Sequence, residues 1–142
     1  MSIEPIDLYQ IKRIRHLIDA KLEEYERVMA LGTRITPILS DMPKGVSDNN
    51  TSKVESTAIK LADLLESIEL EYRALLDLYN RAHEIIEVID NPTYRAILTD
   101  YFLNNMTLEQ VADRTNYSAR NIYYLLKQAK KEYYICEKKI LQ

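Results

Sequence analysis

Between Val54 and Ile89 the chain repeats apolar residues at alternating steps of four and three, with no Gly or Pro between them. The positions are Val54, Ala58, Leu61, Leu65, Ile68, Tyr72, Leu75, Tyr79, Ala82, Ile86 and Ile89. A spacing of 3.5 residues lines up one face of an α-helix and of no other regular structure. Ser52 with Glu55 forms a capping box at its start. The helix so defined spans about 57 Å at 1.5 Å per residue. It cannot bury such a face alone, so the chain must supply or recruit other helices. Leu64, Leu78 and Ile85 add a second stripe beside the seam, which widens it to the face of a bundle helix. With only 2 Gly and 4 Pro in 142 residues, a turn-rich all-β fold or a disordered chain is excluded.

A first helix supplies part of the partner. Asp7 is its N-cap, Gln10 completes a capping box, and Ile6 and Ile11 stand at staple spacing. Ile11, Ile14, Ile18, Leu22, Tyr25 and Met29 then mark one helical face to about residue 30. Gly32 and Pro37 break the pattern. Residues 31–51 hold both glycines and two of the four prolines, and read as a long loop. The two helices are expected to pair antiparallel. The first is the shorter, so Leu61, Leu65, Ile68, Tyr72, Leu75 and Tyr79 are assigned to oligomerisation with a second copy, as a homodimer.

Several classes of function drop out. A single Cys excludes a disulfide scaffold and a zinc finger. His16 and His83 lie on different helices without a His or Cys one turn away, so no metal site is expected. No catalytic constellation and no Gly-rich phosphate loop is present, which reads as a non-enzyme without cofactor. No apolar run approaches the roughly 20 residues that cross a bilayer. The start, Met1-Ser2-Ile3-Glu4-Pro5, lacks the pattern of a signal peptide, and the expected location is the cytoplasm.

Charge is unevenly placed. The net charge is −3, but residues 1–106 carry 12 Lys/Arg against 18 Asp/Glu, whereas residues 107–142 carry 7 against 4. The last quarter of an acidic chain is therefore basic, which suggests an anionic partner for that part.

That quarter has its own punctuation. Asn91-Pro92 ends the long helix and starts another, with Asn as cap and Pro at the first position. Ile97, Leu98, Tyr101 and Phe102 give it an apolar face, and Asn104-Asn105 closes it. Thr107 and Gln110 form a third capping box, opening a short helix that ends at Thr115-Asn116. Ser118 caps a longer helix with Ile122, Leu125, Leu126, Ala129 and Tyr133 inward. A short helix, a tight turn and a longer helix make a helix-turn-helix, in which the small Ala112 permits close crossing. Arg120, Asn121, Tyr123, Tyr124, Lys127, Lys130 and Lys131 face the other way. Arg and Asn can pair with base edges in the major groove, while Lys and Tyr suit phosphates. With the caps Thr107 and Ser118, they form the candidate site for double-stranded DNA. The expected fold class is all-α: a long antiparallel helical hairpin or coiled coil over residues 1–90, then a three-helix helix-turn-helix domain over 91–142.

The run Thr107-Leu108-Glu109-Gln110-Val111-Ala112-Asp113-Arg114-Thr115-Asn116-Tyr117-Ser118 resembles the start of region 4 of bacterial sigma factors. Residues 119–131 are similar to that family's recognition helix. Val111 and Ala112 fall on its Ile-Ala pair, Ser118 on its cap, Ile122 on its buried aliphatic and Ala129 on its small residue. Asn116 stands where the family commonly has Gly, and Thr115 where it commonly has Leu. The resemblance implies that Arg120, Asn121, Tyr123 and Tyr124 lie on the DNA-facing side. The wider layout, a long acidic helix, Asp90-Asn91-Pro92-Thr93-Tyr94-Arg95 and the sigma-like unit, resembles phage transcriptional regulators of the ArpU and RinA type. Scattered positions around Met42-Pro43 and Tyr117-Ser118 share in that resemblance. It implies a phage-encoded regulator acting in a bacterial host. Two other readings stay open: a protein-interaction module contacting RNA polymerase or another regulator, and a small terminase-like subunit of phage DNA packaging.

Overall fold

A computed structural model describes residues 7–40 and 47–142, with side chains for residues 7–32 and 53–142. The fold is all-α. In chain order it consists of α1 (Leu8–Ser40), α2 (Ser47–Val88), α3 (Pro92–Leu98), a π-helical turn (Thr99–Leu103), α4 (Leu108–Thr115) and α5 (Ala119–Leu141).

The long loop expected over residues 31–51 is corrected. Helix α1 continues to Ser40 and α2 begins at Ser47, so Ser52 lies inside a helix instead of capping it. Gly32 is not a breaker. A Cβ there would stand 3.1 Å from Cγ2 of Thr57, so the missing side chain lets α1 and α2 approach closely. Pro37 falls in the last turn of α1, where its missing N–H forgoes one backbone hydrogen bond. The side chain of Ser52 lies outside the described residues, as do Ile6, Met42 and Pro43 altogether.

Two compact units divide the chain, one comprising residues 7–14 and 75–142, the other residues 15–74. The expected division was at residue 90. The grouping differs because Leu8 and Ile11 of α1 and Ala82, Ile85, Ile86 and Ile89 at the end of α2 belong to one core with Phe102, Val111 and Ile122.

In the unit of residues 15–74, α1 and α2 run antiparallel. Lys21 Nζ donates to Ser67 Oγ at 2.6 Å and to Glu71 Oε1 at 3.3 Å, while Gly32 lies opposite Thr57. Ile18, Val28 and Ile68 are buried. The seam is only half used: Leu61 is half-buried, whereas Leu65 and Tyr72 are 51% and 48% exposed. Helix α1 covers one of the two heptad columns and leaves the other open.

The other unit is built around Phe102, which is fully buried. The rings of Tyr9 and Tyr101 meet it edge-on at 5.1 and 4.9 Å. Asn91 caps α3 by accepting from the Thr93 N–H at 2.9 Å, with Pro92 in the first turn. Arg95 donates to the carbonyls of Ile89 and Asp90, closing the end of α2. The π turn follows directly, its Asn104 N–H bonding to the Thr99 carbonyl at 2.9 Å. Asn105 then takes a φ of 57°, a left-handed conformation that Asn tolerates, and turns the chain into α4.

Tyr133 is the largest fully buried side chain, and its hydroxyl finds no hydrogen-bond partner among the described residues. Burial, helped by the nearby Glu137 carboxylate, raises its pKa above the ordinary value. An unpaired buried hydroxyl costs about 1–3 kcal/mol. Tyr133→Phe is therefore expected to stabilise the protein by about 1 kcal/mol in thermal melts at neutral pH. Above about pH 10 the unfolded phenol ionises while the folded one holds its proton, so stability falls as pH rises. The variant loses that part of the alkaline slope. A melt lowered by the substitution would show that the hydroxyl is bonded after all.

Candidate nucleic-acid interface

The helix-turn-helix is held by local chemistry that the sequence spells out. The Thr107 hydroxyl accepts from the Gln110 N–H at 3.2 Å, and the Gln110 side chain accepts from the Thr107 N–H at 2.8 Å, a complete capping box. Helix α4 ends at Asn116, whose φ of 63° and ψ of 21° are left-handed. Ser118 then caps α5 by accepting from the Asn121 N–H at 3.1 Å. Val111 and Ala112 of α4 are buried with Ile122 and Leu126 of α5. The Thr115 hydroxyl folds back on the Val111 carbonyl at 2.8 Å.

One brace was not visible in the sequence. Asp100, in the π turn, is buried; its carboxylate accepts from Asn104 Nδ2 at 3.4 Å and faces Arg114 Nη1 of α4 at 3.5 Å. Asp100 and Arg114 are fourteen positions apart and belong to no shared pattern, so only the fold pairs them.

Helix α5 buries Ile122, Leu126, Ala129, Tyr133 and Glu137. Of the residues assigned to DNA, Thr107, Ser118, Arg120, Asn121, Tyr123, Tyr124, Lys127 and Lys131 are exposed. The hydroxyls of Thr107 and Ser118 serve as caps, and each keeps its own hydrogen free to donate. Tyr123 and Tyr124 are 53% and 55% exposed, with ring centroids 6.2 Å apart. The two rings meet edge to face at 73°, and Lys127 Nζ stands 5.9 Å from the Tyr123 ring centroid, so rings and ammonium form one exposed, cationic cluster. At 3.6 residues per turn, Arg120, Tyr124, Lys127 and Lys131 share a single stripe opposite the buried row.

Lys130 stands apart from this stripe. It is half-buried, donates to the Tyr9 hydroxyl at 2.9 Å and lies 5.0 Å from that ring's centroid. Its position on α5 points it at the start of α1, so it fastens the helix. Tyr134 does the same: its hydroxyl accepts from the Leu8 N–H and donates to Asp7, each at 3.4 Å. The Asp7 carboxylate also accepts from the Tyr9 N–H at 3.0 Å, as the cap expected of it. The outer face of α4 carries Glu109 and Asp113, both exposed, so the positive charge of the motif resides in α5.

Cys136 is half-buried, and burial pushes its thiol pKa upward, away from a reactive thiolate. No described helix is long and apolar enough to cross a membrane. Among the described residues no group of three or more His, Cys, Asp or Glu is placed to hold a metal.

A family model described as a protein of unknown function, DUF1492, matches residues 40–134. No curated protein and no solved structure matches the chain.

Proposed function

The chain belongs to the DUF1492 family, and we propose for it a sequence-specific, double-stranded-DNA-binding role as a transcriptional regulator that reads the major groove with α5. The observation that carries this reading is the exposed stripe of α5. Arg120, Tyr124, Lys127 and Lys131 stand clear of the core behind a capped turn, without a carboxylate among them. Arg120 and Asn121 lie in the first turn of the helix, where a recognition helix meets base edges. Tyr123, Lys127 and Lys131 supply phosphate contacts that set position and salt dependence. The resemblance to sigma region 4 and to ArpU- and RinA-type regulators supports the same role, for a phage-encoded protein in the cytoplasm of a bacterial host.

The open heptad column of α2 supports a homodimer, with Leu65 and Tyr72 as its centre. A two-fold dimer would place half-sites one or two helical turns apart. The same exposed residues favour, as a second reading, a contact with RNA polymerase or another regulator. A packaging subunit would instead assemble as a ring, which light scattering detects.

The direct test is retention of sheared source-genome DNA on the purified protein at two salt concentrations, read by sequencing. A few sharply enriched sites upstream of genes are expected. Broad retention that vanishes at the higher salt would reduce the role to non-specific phosphate binding. No retention at either salt would remove it.

A further inference from the structure

Helix α5 is longer than reading a groove requires. It has 23 residues, which makes it about 34 Å long, against a major groove about 12 Å wide. The first three turns suffice to cross the groove. What lies beyond must run over the sugar–phosphate wall or away from the DNA.

The side chains past that point are not neutral. Lys131 and Lys138 are both exposed, and seven residues separate them, two turns on the same face as Arg120, Tyr124 and Lys127. Lys131 stands about 16 Å along the axis from Arg120, and Lys138 about 27 Å. Both exceed the groove width. The acidic residues of this half are turned elsewhere: Glu137 is buried, and Glu132 lies about a quarter turn off the stripe. The flank of α5 at Lys130 and Tyr134 is occupied by Tyr9 and Asp7 of α1, which fixes the rotation of the helix about its axis. The lysine stripe therefore has one defined outward direction.

Resting on the DNA-binding reading, we infer that α5 is divided into a reading half, Arg120 to Lys127, and a clamping half, in which Lys131 and Lys138 grip the phosphate backbone beyond the groove. The two halves make different demands on the sequence of the DNA. Base contacts are confined to the first half, through Arg120 and Asn121, whereas those of Lys131 and Lys138 are blind to sequence. The clamping half sets affinity and salt dependence for every duplex alike.

The test compares the wild type with a Lys131→Gln, Lys138→Gln double variant. A Lys53→Gln, Lys60→Gln variant, which changes two exposed lysines of α2 by the same charge, serves as control. Binding is measured to an enriched duplex and to a shuffled duplex of equal length, over a salt series. The expected result is a slope of log K against log salt shallower by about 1.8 for the α5 variant, two phosphates at about 0.9 each. Its affinity drops by the same factor for both duplexes, while the control keeps the wild-type slope. An α5 variant with the wild-type slope overturns the clamp and leaves the DNA reading standing. A change confined to the enriched duplex also overturns it, since that places the lysines against bases. A wild type that retains neither duplex removes the DNA reading itself, and the clamp with it.

Discussion

Reversing two charges on α5, by Arg120→Glu with Lys127→Glu, is expected to lower affinity for duplex DNA at least roughly 100-fold, at two contacts of about 1.4 kcal/mol each. The estimate is a lower bound, because each glutamate adds repulsion from phosphate to the loss of a favourable contact. Both side chains are exposed, and neither belongs to the core around Phe102. Thermal stability should therefore stay within about 0.5 kcal/mol of the wild type. Losing binding while keeping the fold is what distinguishes a recognition face from a packing face. Lys127 also lies near the Tyr123 ring, so its reversal undoes that cationic cluster as well. Wild-type affinity in the folded double variant would move the DNA contact off α5 and favour the reading as a protein-interaction module.

The largest effect on stability is expected from Phe102→Ala, at about 3–5 kcal/mol, the range for deleting a buried aromatic side chain. Phe102 is fully buried, and the edges of Tyr9 and Tyr101 pack against it. Each aromatic pair adds about 0.5–1.5 kcal/mol beyond burial, so the upper half of the range is the better expectation. Set against a typical total of about 5–15 kcal/mol, such a loss leaves a marginal protein. Urea denaturation followed by near-ultraviolet dichroism of the tyrosines reads the shift directly. A loss under about 1 kcal/mol would mean that the site collapses around the gap and that Phe102 is not its keystone.

What was legible beforehand was local. Thr107 with Gln110, Asn91 with Pro92, and Ser118 each announce a helix start within three or four residues, and each forms as spelled. Asn116 turns the chain in a left-handed conformation, which Asn tolerates better than other residues with a Cβ. The heptad run fixed the existence of α2 but not its burial. Periodicity says which residues share a face, not whether a neighbour covers it, and Leu65 and Tyr72 remain open where Ile68 does not. Gly32 misled for a related reason. In sequence a glycine signals either a break or a close approach, and only the neighbouring Thr57 decides between them. The π turn left no signature either, since a shift from four to five residues per bond needs no special side chain. The ties of Lys130 to Tyr9 and of Tyr134 to Asp7 join positions more than 120 residues apart, beyond the reach of any motif.

Those ties bear on the order in which the protein can be assembled as it is synthesised. Residues 15–74 form their antiparallel pair from one contiguous stretch, so that unit closes early and over short loops. The other unit is discontinuous: Leu8 and Ile11 emerge first and must wait for Phe102, Ile122 and Tyr133. Its core is completed only when α5 has left the ribosome, and the loop it closes is nearly the length of the chain. Contacts so distant in sequence slow folding, and meanwhile they leave the apolar end of α2 uncovered. The nascent chain therefore carries the α1–α2 pair formed well before α5 is seated.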